Sequence, residues 1–242
     1  MRVQRVEDGF HLACARALAT ELSAAQRGRR EVSLALSGGP TVGPVFDALV
    51  ALAAKPPSAE VNVDWGRVLI GQVDERIVAL GHPDRNAADL LDRLVRPLGI
   101  PEHRVQLLPV ELVSGGQWLE RAALGVAEAA GMPPTYDLMQ LGLGPDGHTA
   151  SLVPGDPVLD ATESAVACTR PYQGCRRLTL TYPVINAARR RVWWIPDAGP
   201  GGDTAEALKL MLAGDRSIPA GCVVQANSVV VAQAPEGGDA AS

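Results

Sequence analysis

Short apolar runs alternate along the chain with stretches whose apolar residues recur at helical spacing, and this pattern predicts strands and helices in turn. The helical stretches are 8–26, 42–52, 87–95, 114–130 and 204–212, with Asp8 and Ser114 as expected N-caps. The strand-like runs are 32–36, 68–73, 105–108, 138–143, 165–169, 178–182, 192–195, 222–225 and 229–232. Strands that alternate with helices predict an α/β fold with a mainly parallel sheet flanked by helices on both faces.

The length of 242 residues is sufficient to bury a substantial core within one domain. We expect a single α/β domain over 1–234. The last eight residues, PEGGDAAS (235–242), are polar and contain glycine and proline, so this tail is expected to be disordered.

The chain is organised around the stretch 136–155, which reads YDLMQLGLGPDGHTASLVPG. An apolar run there breaks into a glycine-rich turn that carries Asp146 and His148, followed by Thr149 and Ser151. In open α/β sheets, ligands bind at turns that follow the carboxyl ends of strands. A neutral histidine at such a turn is suited to general-base chemistry near neutral pH. Asp146 is expected either to orient the histidine ring or to cap the local turn.

A second turn, Ser37-Gly38-Gly39-Pro40-Thr41, lies between the predicted strand 32–36 and the predicted helix 42–52. Glycines allow the backbone to approach a ligand closely, and free amides at a helix N-terminus attract anions. Proline suits the first turn of a helix, where its missing N–H costs little. The turn therefore indicates a phosphate site, although two glycines at a strand-to-helix turn also occur for steric reasons alone.

A third group of polar residues, Asp74-Glu75-Arg76, follows the apolar run 68–73 directly. A run of charges is usually a solvated loop, but its position at a strand end favours a functional role. The guanidinium of Arg76 is suited to forked contacts with phosphate oxygens.

Charge and composition narrow the classes of function. The net charge of −5 argues against nucleic acid as a partner, since proteins that bind nucleic acids usually present a basic face. The four cysteines contain no CxxC pair and no metal-like spacing with the histidines, so no metal is expected. No signal peptide and no membrane-spanning run is evident, which predicts a cytoplasmic protein without a membrane partner.

Four segments, LSGGPT, VDER, GLGPDGHTASLVPG and RLTLTYPVINAARR, occur in this order along the chain and together resemble the 6-phosphogluconolactonases. DGHTAS followed by a PG pair is the most specific of these motifs. The resemblance implies a Rossmann-like fold shared with glucosamine-6-phosphate deaminases and ribose-5-phosphate isomerase. It also implies hydrolysis of 6-phospho-D-glucono-1,5-lactone in the oxidative pentose phosphate pathway without a cofactor. The implied partner is a small phosphorylated sugar lactone, and the implied assembly is a monomer or homodimer.

The same resemblance implies a role for individual residues. His148 would act as the general base on water, and Asp146 would support it. The residues expected to hold the substrate, mainly through its phosphate, are Ser37, Gly38, Gly39, Thr41, Asp74, Arg76, Asn86 and Arg177.

Three positions depart from the family's usual motifs, and one of them is Val42, which replaces the proline of the SGGSTP turn. Pro40 replaces a serine of the SGGSTP turn, which removes one hydroxyl and one amide donor. Thr204 occupies the place of a phosphate-contacting lysine, while Lys209 lies more than one helical turn further along. A lost charged contact weakens binding by on the order of 2 kcal/mol, which Arg170, Arg176 or Arg177 could offset.

Two other functions are compatible with parts of this pattern. An amino-sugar phosphate deaminase or isomerase is similar to this chain in the DGH turn. Deaminases usually continue with FNEPG, whose glutamate assists ring opening, whereas the aligned residue here is Val153. A non-catalytic sugar-phosphate sensor would usually carry a DNA-binding domain, for which this chain has no spare length. Turnover of the lactone separates an enzyme from a sensor.

Overall fold

The computed structural model describes residues 1–58, 61–79, 81–199 and 201–233. The strands in these residues are β1 (Arg2–Val6), β2 (Val32–Leu36), β3 (Val68–Gln72), β4 (Asp74–Arg76), β5 (Val105–Gln106), β6 (Leu138–Gly142), β7 (Val166–Cys168), β8 (Arg177–Leu180), β9 (Arg191–Ile195) and β10 (Ser228–Gln233). The predicted disordered tail lies outside the described residues.

The α-helices are α1 (Phe10–Gly28), α2 (Val42–Ala53), α3 (Asn86–Asp89), α4 (Trp118–Ala130), α5 (Tyr182–Ala187) and α6 (Ala205–Ala213). A π-helical segment, Leu90–Val95, continues α3. Short 3-10 helices lie at Trp65–Arg67, Glu102–Arg104, Val110–Gly115, Pro157–Asp160 and Pro219–Cys222. No helix in the described ranges is long and apolar enough to cross a bilayer.

The main sheet has seven parallel strands in the order β1-β10-β9-β6-β2-β3-β5. Helices pack on both faces, because successive strand residues point to opposite sides of the sheet. In β2, Leu34 packs in the core beneath α1 and α2, whereas Ala35 faces the core that contains α4 and α6. The predicted α/β architecture with a mainly parallel sheet is therefore confirmed.

The strand order creates a crevice between β2 and β6. From β2 the chain proceeds outward to β3 and β5, and from β6 it proceeds in the other direction to β9 and β10. β2 and β6 are paired in parallel, with Leu34 opposite Leu138, so the loops after both strands meet at one edge. Such a switch point is where open α/β sheets bind ligands.

A second, antiparallel sheet of order β4-β8-β7 stands beside this edge. The charged trio Asp74–Arg76 is strand β4 of this sheet, so the alternative of a solvated loop is wrong. Val73 joins the two sheets, because its amide donates to Leu36 O while its carbonyl accepts from the amide of Leu180. The small sheet brings β8, and with it Arg177, to the carboxyl edge of the large one.

Several local expectations are wrong. Residue Gly9, in a left-handed conformation, is the N-cap of α1 in place of Asp8. Ser114 lies in a 3-10 helix, and α4 begins only at Trp118. The predicted strand at 222–225 is absent, since Pro219–Cys222 is a 3-10 helix and no ladder follows before β10. Strand β1 and helix α5 had no counterpart among the predicted elements, because each is short and β1 is mostly polar.

Candidate active site

His148 and Asp146 form a hydrogen-bonded pair in the turn after β6. Asp146 Oδ1 lies 2.5 Å from His148 Nδ1 and also accepts from the backbone amide of His148 at 3.2 Å. Asp146 therefore does both things that the sequence allowed, because it orients the ring and it caps the turn. A carboxylate at Nδ1 favours the tautomer that carries the ring proton on Nδ1, which leaves the lone pair on Nε2.

Glycines bring the histidine ring against the backbone. A Cβ atom on Gly144 would lie 2.1 Å from both Cε1 and Nδ1 of His148, so only glycine fits beneath the ring. Gly147 has a φ of +81°, and a Cβ there would lie 2.5 Å from Cβ of Ile218. The amide of Ala220 donates to Gly147 O at 2.9 Å. The turn is therefore held from both sides in one conformation.

Tyr172, which lies in the hairpin between β7 and β8, completes this group. Its hydroxyl donates to Asp146 Oδ2 at 3.0 Å, and its ring packs edge-on against His148 with centroids 5.5 Å apart. Partial burial alone would raise the pKa of Asp146, but hydrogen bonds from His148 and Tyr172 outweigh it and lower that pKa below its usual value. Burial and the neighbouring Asp146 carboxylate raise the pKa of Tyr172.

Asp74 supports the same turn from β4. Its Oδ2 accepts from Ser151 Oγ at 2.6 Å, and the amide of Ser151 donates to Thr179 Oγ1 at 3.2 Å. All three side chains are buried. Between Thr149 and Ser151, Ala150 adopts a positive φ of 53°, an uncommon conformation for a residue with a Cβ. The hydrogen bond of the Asp74 side chain is thus with the histidine turn.

The glycine turn after β2 approaches this site from the neighbouring strand. Ser37 does not present its polar groups outward, because its amide donates to Gln140 Oε1 and its hydroxyl donates to Gln140 O. The amides of Gly38, Gly39 and Thr41 make no hydrogen bond within the described residues. These amides, at the N-terminus of α2, are available to an anion.

Asn86 packs directly against the glycine turn. A Cβ on Gly38 would lie 1.8 Å from Asn86 Oδ1, and Asn86 Nδ2 donates to Asp74 O at 3.0 Å. Fully buried Glu75 holds this arrangement, because its two carboxylate oxygens accept from the amides of Arg76, Asn86 and Ala87. Asn86 Oδ1 is buried and has no hydrogen-bond partner among the described residues.

Two arginines stand side by side on the small sheet. Arg76 and Arg177 are direct partners in the antiparallel β4–β8 ladder. Arg76 Nη1 donates to Asp84 O, and Arg177 Nη2 donates to Gln173 Oε1, but the Nε atom of each is buried without a partner in the described part of the chain. The Arg177 Cζ atom lies 5.0 Å from the centroid of the Tyr172 ring, which links the arginines to the histidine pair.

The positions that depart from the family motifs carry no charged side chain. Thr204 is buried, and its hydroxyl donates to the carbonyls of Pro196 and Asp197. Lys209 is exposed on α6 beside Glu206. Pro40 is exposed in the glycine turn. Arginines are therefore the cations of this site in the described residues.

Sequence reasoning identified His148, Asp146 and the arginines, but it missed four contributors that only their contacts reveal. These are Tyr172, Gln140, Glu75 as a buried anchor, and Thr179. Glu75 was visible as part of a charged trio, whereas a single tyrosine in a hairpin loop carries no sequence signal. Thr41 has no side-chain hydrogen bond to a described group. No cluster of histidine, cysteine or carboxylate side chains suited to a metal ion occurs within 1–58, 61–79, 81–199 and 201–233.

The fold belongs to the class of parallel α/β proteins whose ligands bind at the carboxyl edge of the sheet, and in this chain a histidine–aspartate pair and paired arginines lie at that edge. Within this class, the sequence model of the glucosamine-6-phosphate isomerases/6-phosphogluconolactonase family matches residues 6–232. The chain belongs to this family, and the predicted family resemblance is confirmed.

Individual relatives agree with this assignment. The chain is 32% identical over 229 residues to a 6-phosphogluconolactonase of Streptomyces coelicolor, a match that covers 90% of this chain and 85% of the relative. It is 31% identical over 197 residues to a probable chloroplastic 6-phosphogluconolactonase 4 of rice, covering 76% of this chain but only 58% of the rice protein. The crystal structure of 6-phosphogluconolactonase from Thermotoga maritima superposes with a TM-score of 0.80 at 24% identity, over 96% of this chain and 99% of the other, which confirms the fold.

Proposed function

We propose that this chain hydrolyses 6-phospho-D-glucono-1,5-lactone to 6-phospho-D-gluconate, a step of the oxidative pentose phosphate pathway. Membership of the family and the names of its relatives support this substrate. The observation that carries the proposed mechanism is the contact between His148 Nδ1 and Asp146, because it leaves Nε2 as the atom that can accept a proton.

In the proposed reaction, His148 Nε2 removes a proton from water while the water oxygen attacks the lactone carbonyl carbon. The tetrahedral intermediate then collapses, the bond from that carbon to the ring oxygen breaks, and Nε2 returns the proton to the departing oxygen. Ionised Asp146 stabilises the imidazolium that forms between these steps. Free backbone amides of the glycine turns are candidate donors to the oxyanion.

The phosphate is proposed to bind Arg76 and Arg177, with the amides of the glycine turn after β2 as further donors. The partnerless Nε atoms of both arginines support this assignment, since buried donors normally find an acceptor. Asn86, held by Glu75 and Asp74, would contact the substrate through its unpaired Oδ1. The ring opening of an amino sugar is not favoured, because Val153 is apolar and buried at the position where that chemistry needs a carboxylate.

The test is the hydrolysis of lactone generated in place from glucose 6-phosphate, compared with spontaneous hydrolysis. We expect wild-type protein to accelerate the reaction and His148→Ala to lose at least about 100-fold in kcat, as is typical for a general base. His103→Ala is the matched control, since His103 is exposed on a 3-10 helix, and it should retain full activity.

Wild-type protein that does not exceed the background rate would contradict the proposed substrate. Full activity of the His148→Ala variant would instead contradict only the general-base role. If 6-phosphogluconate binds without any turnover, the sensor alternative applies. The cytoplasmic location, the lack of a cofactor and the monomeric or homodimeric assembly stay predictions from the sequence.

A further inference from the structure

We propose that Tyr172 is a positioning residue of this site, because its hydroxyl holds the Asp146 carboxylate in the orientation that keeps the proton of His148 on Nδ1. The inference rests on the proposed general-base role of His148. It adds to that role a residue that acts through its hydrogen bond to Asp146.

The two oxygens of Asp146 have separate partners. Oδ1 accepts from His148, and Oδ2 accepts from the Tyr172 hydroxyl at 3.0 Å. A carboxylate that accepts a hydrogen bond at each oxygen cannot rotate without breaking at least one of these bonds. The Asp146 side chain is 36% exposed, so without Tyr172 water would compete for Oδ2 and the carboxylate would sample other rotamers.

The hydroxyl itself cannot take the place of Asp146. Tyr172 Oη lies 3.5 Å from His148 Nδ1, which is beyond the usual distance for a hydrogen bond. The raised pKa of Tyr172 keeps the hydroxyl protonated across the working range, so it remains a donor to Asp146. Asp146 is therefore the acceptor of both hydrogen bonds, from the Tyr172 hydroxyl at Oδ2 and from His148 Nδ1 at Oδ1.

The hairpin that carries Tyr172 is tight. The backbones of Tyr172 and Cys175 bond to each other across Gln173 and Gly174, whose φ values are 49° and 91°. Positive φ at both central residues is the signature of the two-residue turn that matches strand twist. Arg177 covers the ring at 5.0 Å, a distance at which a guanidinium attracts an aromatic ring. The hydroxyl is therefore presented to Asp146 from a braced position.

The same contacts are compatible with a tyrosine that only fills space beside His148. Tyr172→Phe separates the two roles, because phenylalanine keeps the ring and its packing but removes the donor to Asp146. Tyr136→Phe is the matched control. Tyr136 is buried just before β6, at the opposite end of the strand from the histidine turn, and its hydroxyl makes no hydrogen bond to a described residue.

Two measurements on the full chain decide the matter. Steady-state kinetics should show kcat lowered about tenfold in Tyr172→Phe, with KM changed less than about twofold, since an orienting partner acts on the base and not on binding. Nitrogen-15 NMR of the imidazole, assigned with the His148→Ala spectrum, should show Nδ1–H in the wild type and a mixture of tautomers in Tyr172→Phe. Tyr136→Phe should match the wild type in both measurements.

An unchanged tautomer in Tyr172→Phe would overturn the proposal, whether or not the activity falls. A changed tautomer with unchanged kcat would overturn it as well. The NMR measurement needs no substrate, so it stands if the chain proves to act on another compound, whereas failure of the wild type to hydrolyse the lactone contradicts only the proposed function.

Discussion

Arg76 and Arg177 are direct neighbours across the antiparallel ladder of β4 and β8, and neither forms an ion pair with a carboxylate in the described ranges. Like charges directly opposite each other in a sheet are destabilising. Repulsion between the two guanidinium groups is therefore unfavourable, and a doubly charged anion bound to both would relieve it.

Replacement of either arginine by alanine should raise KM for the phosphorylated lactone. A charge-assisted hydrogen bond contributes about 1.5–3 kcal/mol, so we expect KM to rise about 10–100-fold in Arg177→Ala and in Arg76→Ala. The comparison substrate is unphosphorylated glucono-1,5-lactone, for which the variants should differ little from the wild type. Arg96→Ala removes an exposed arginine paired with Asp92 and should leave both substrates unaffected. An equal loss on both lactones would mean that the arginines do not bind phosphate.

Gly144→Ala should displace the histidine ring, because its new Cβ would lie 2.1 Å from ring atoms. A misplacement of about 1 Å in a catalytic group can cost about 100-fold in rate, and we expect a loss of this size in kcat. Gly142→Ala is the matched control, since nothing lies within 4 Å of a Cβ there. The measurement is steady-state hydrolysis together with thermal unfolding. A Gly144→Ala variant with wild-type kcat would show that the ring position is not critical.

Glu75→Gln should destabilise the fold. The buried carboxylate accepts hydrogen bonds from three backbone amides and from Gln72 Nε2, and an amide side chain would direct a donor toward donors. We expect the free energy of unfolding to fall by about 2–4 kcal/mol, measured by urea denaturation. Arg85 lies between two carboxylates, with its Nε 3.6 Å from Glu75 Oε2 and its Nη2 2.8 Å from Glu111 Oε1. Glu111→Gln removes the exposed one of the two and should change stability by less than about 1 kcal/mol. Similar losses in the two variants would contradict the anchoring role.

Asp146→Asn should change the acid dependence of stability. The pKa of Asp146 lies below its usual value of 3.8 in the folded protein, so its carboxylate stabilises the fold above that pH, and the contribution is lost as pH falls through the folded pKa. The difference in unfolding free energy between wild type and variant should therefore be constant near neutral pH and shrink below about pH 4. Urea denaturation at a series of pH values measures it. A difference that does not shrink in acid would contradict the lowered pKa.

Local patterns in the sequence predicted most of the secondary structure and the main motifs of the candidate site. The apolar runs and helical periodicities placed most strands and helices of the parallel sheet, because burial on both faces requires continuous apolar strands. The DGHTAS turn, the glycine turn and the two arginines were each recognisable as short motifs. Errors occurred where local signals are weak, as at Gly9, Trp118 and the polar edge strand β1.

The sequence by itself therefore determined the α/β class, the family and the chemical types at the candidate site. Only the tertiary structure decided which side chains meet, because strand order and register are set by packing between distant segments. Asp74 and Ser151 are hydrogen-bonded although 77 positions separate them in the sequence. Arg76 lies opposite Arg177 in a second sheet, which the sequence pattern did not predict. The hydrogen bond from Tyr172 to Asp146 likewise forms between distant segments, because the hairpin that carries Tyr172 must first pack against the histidine turn.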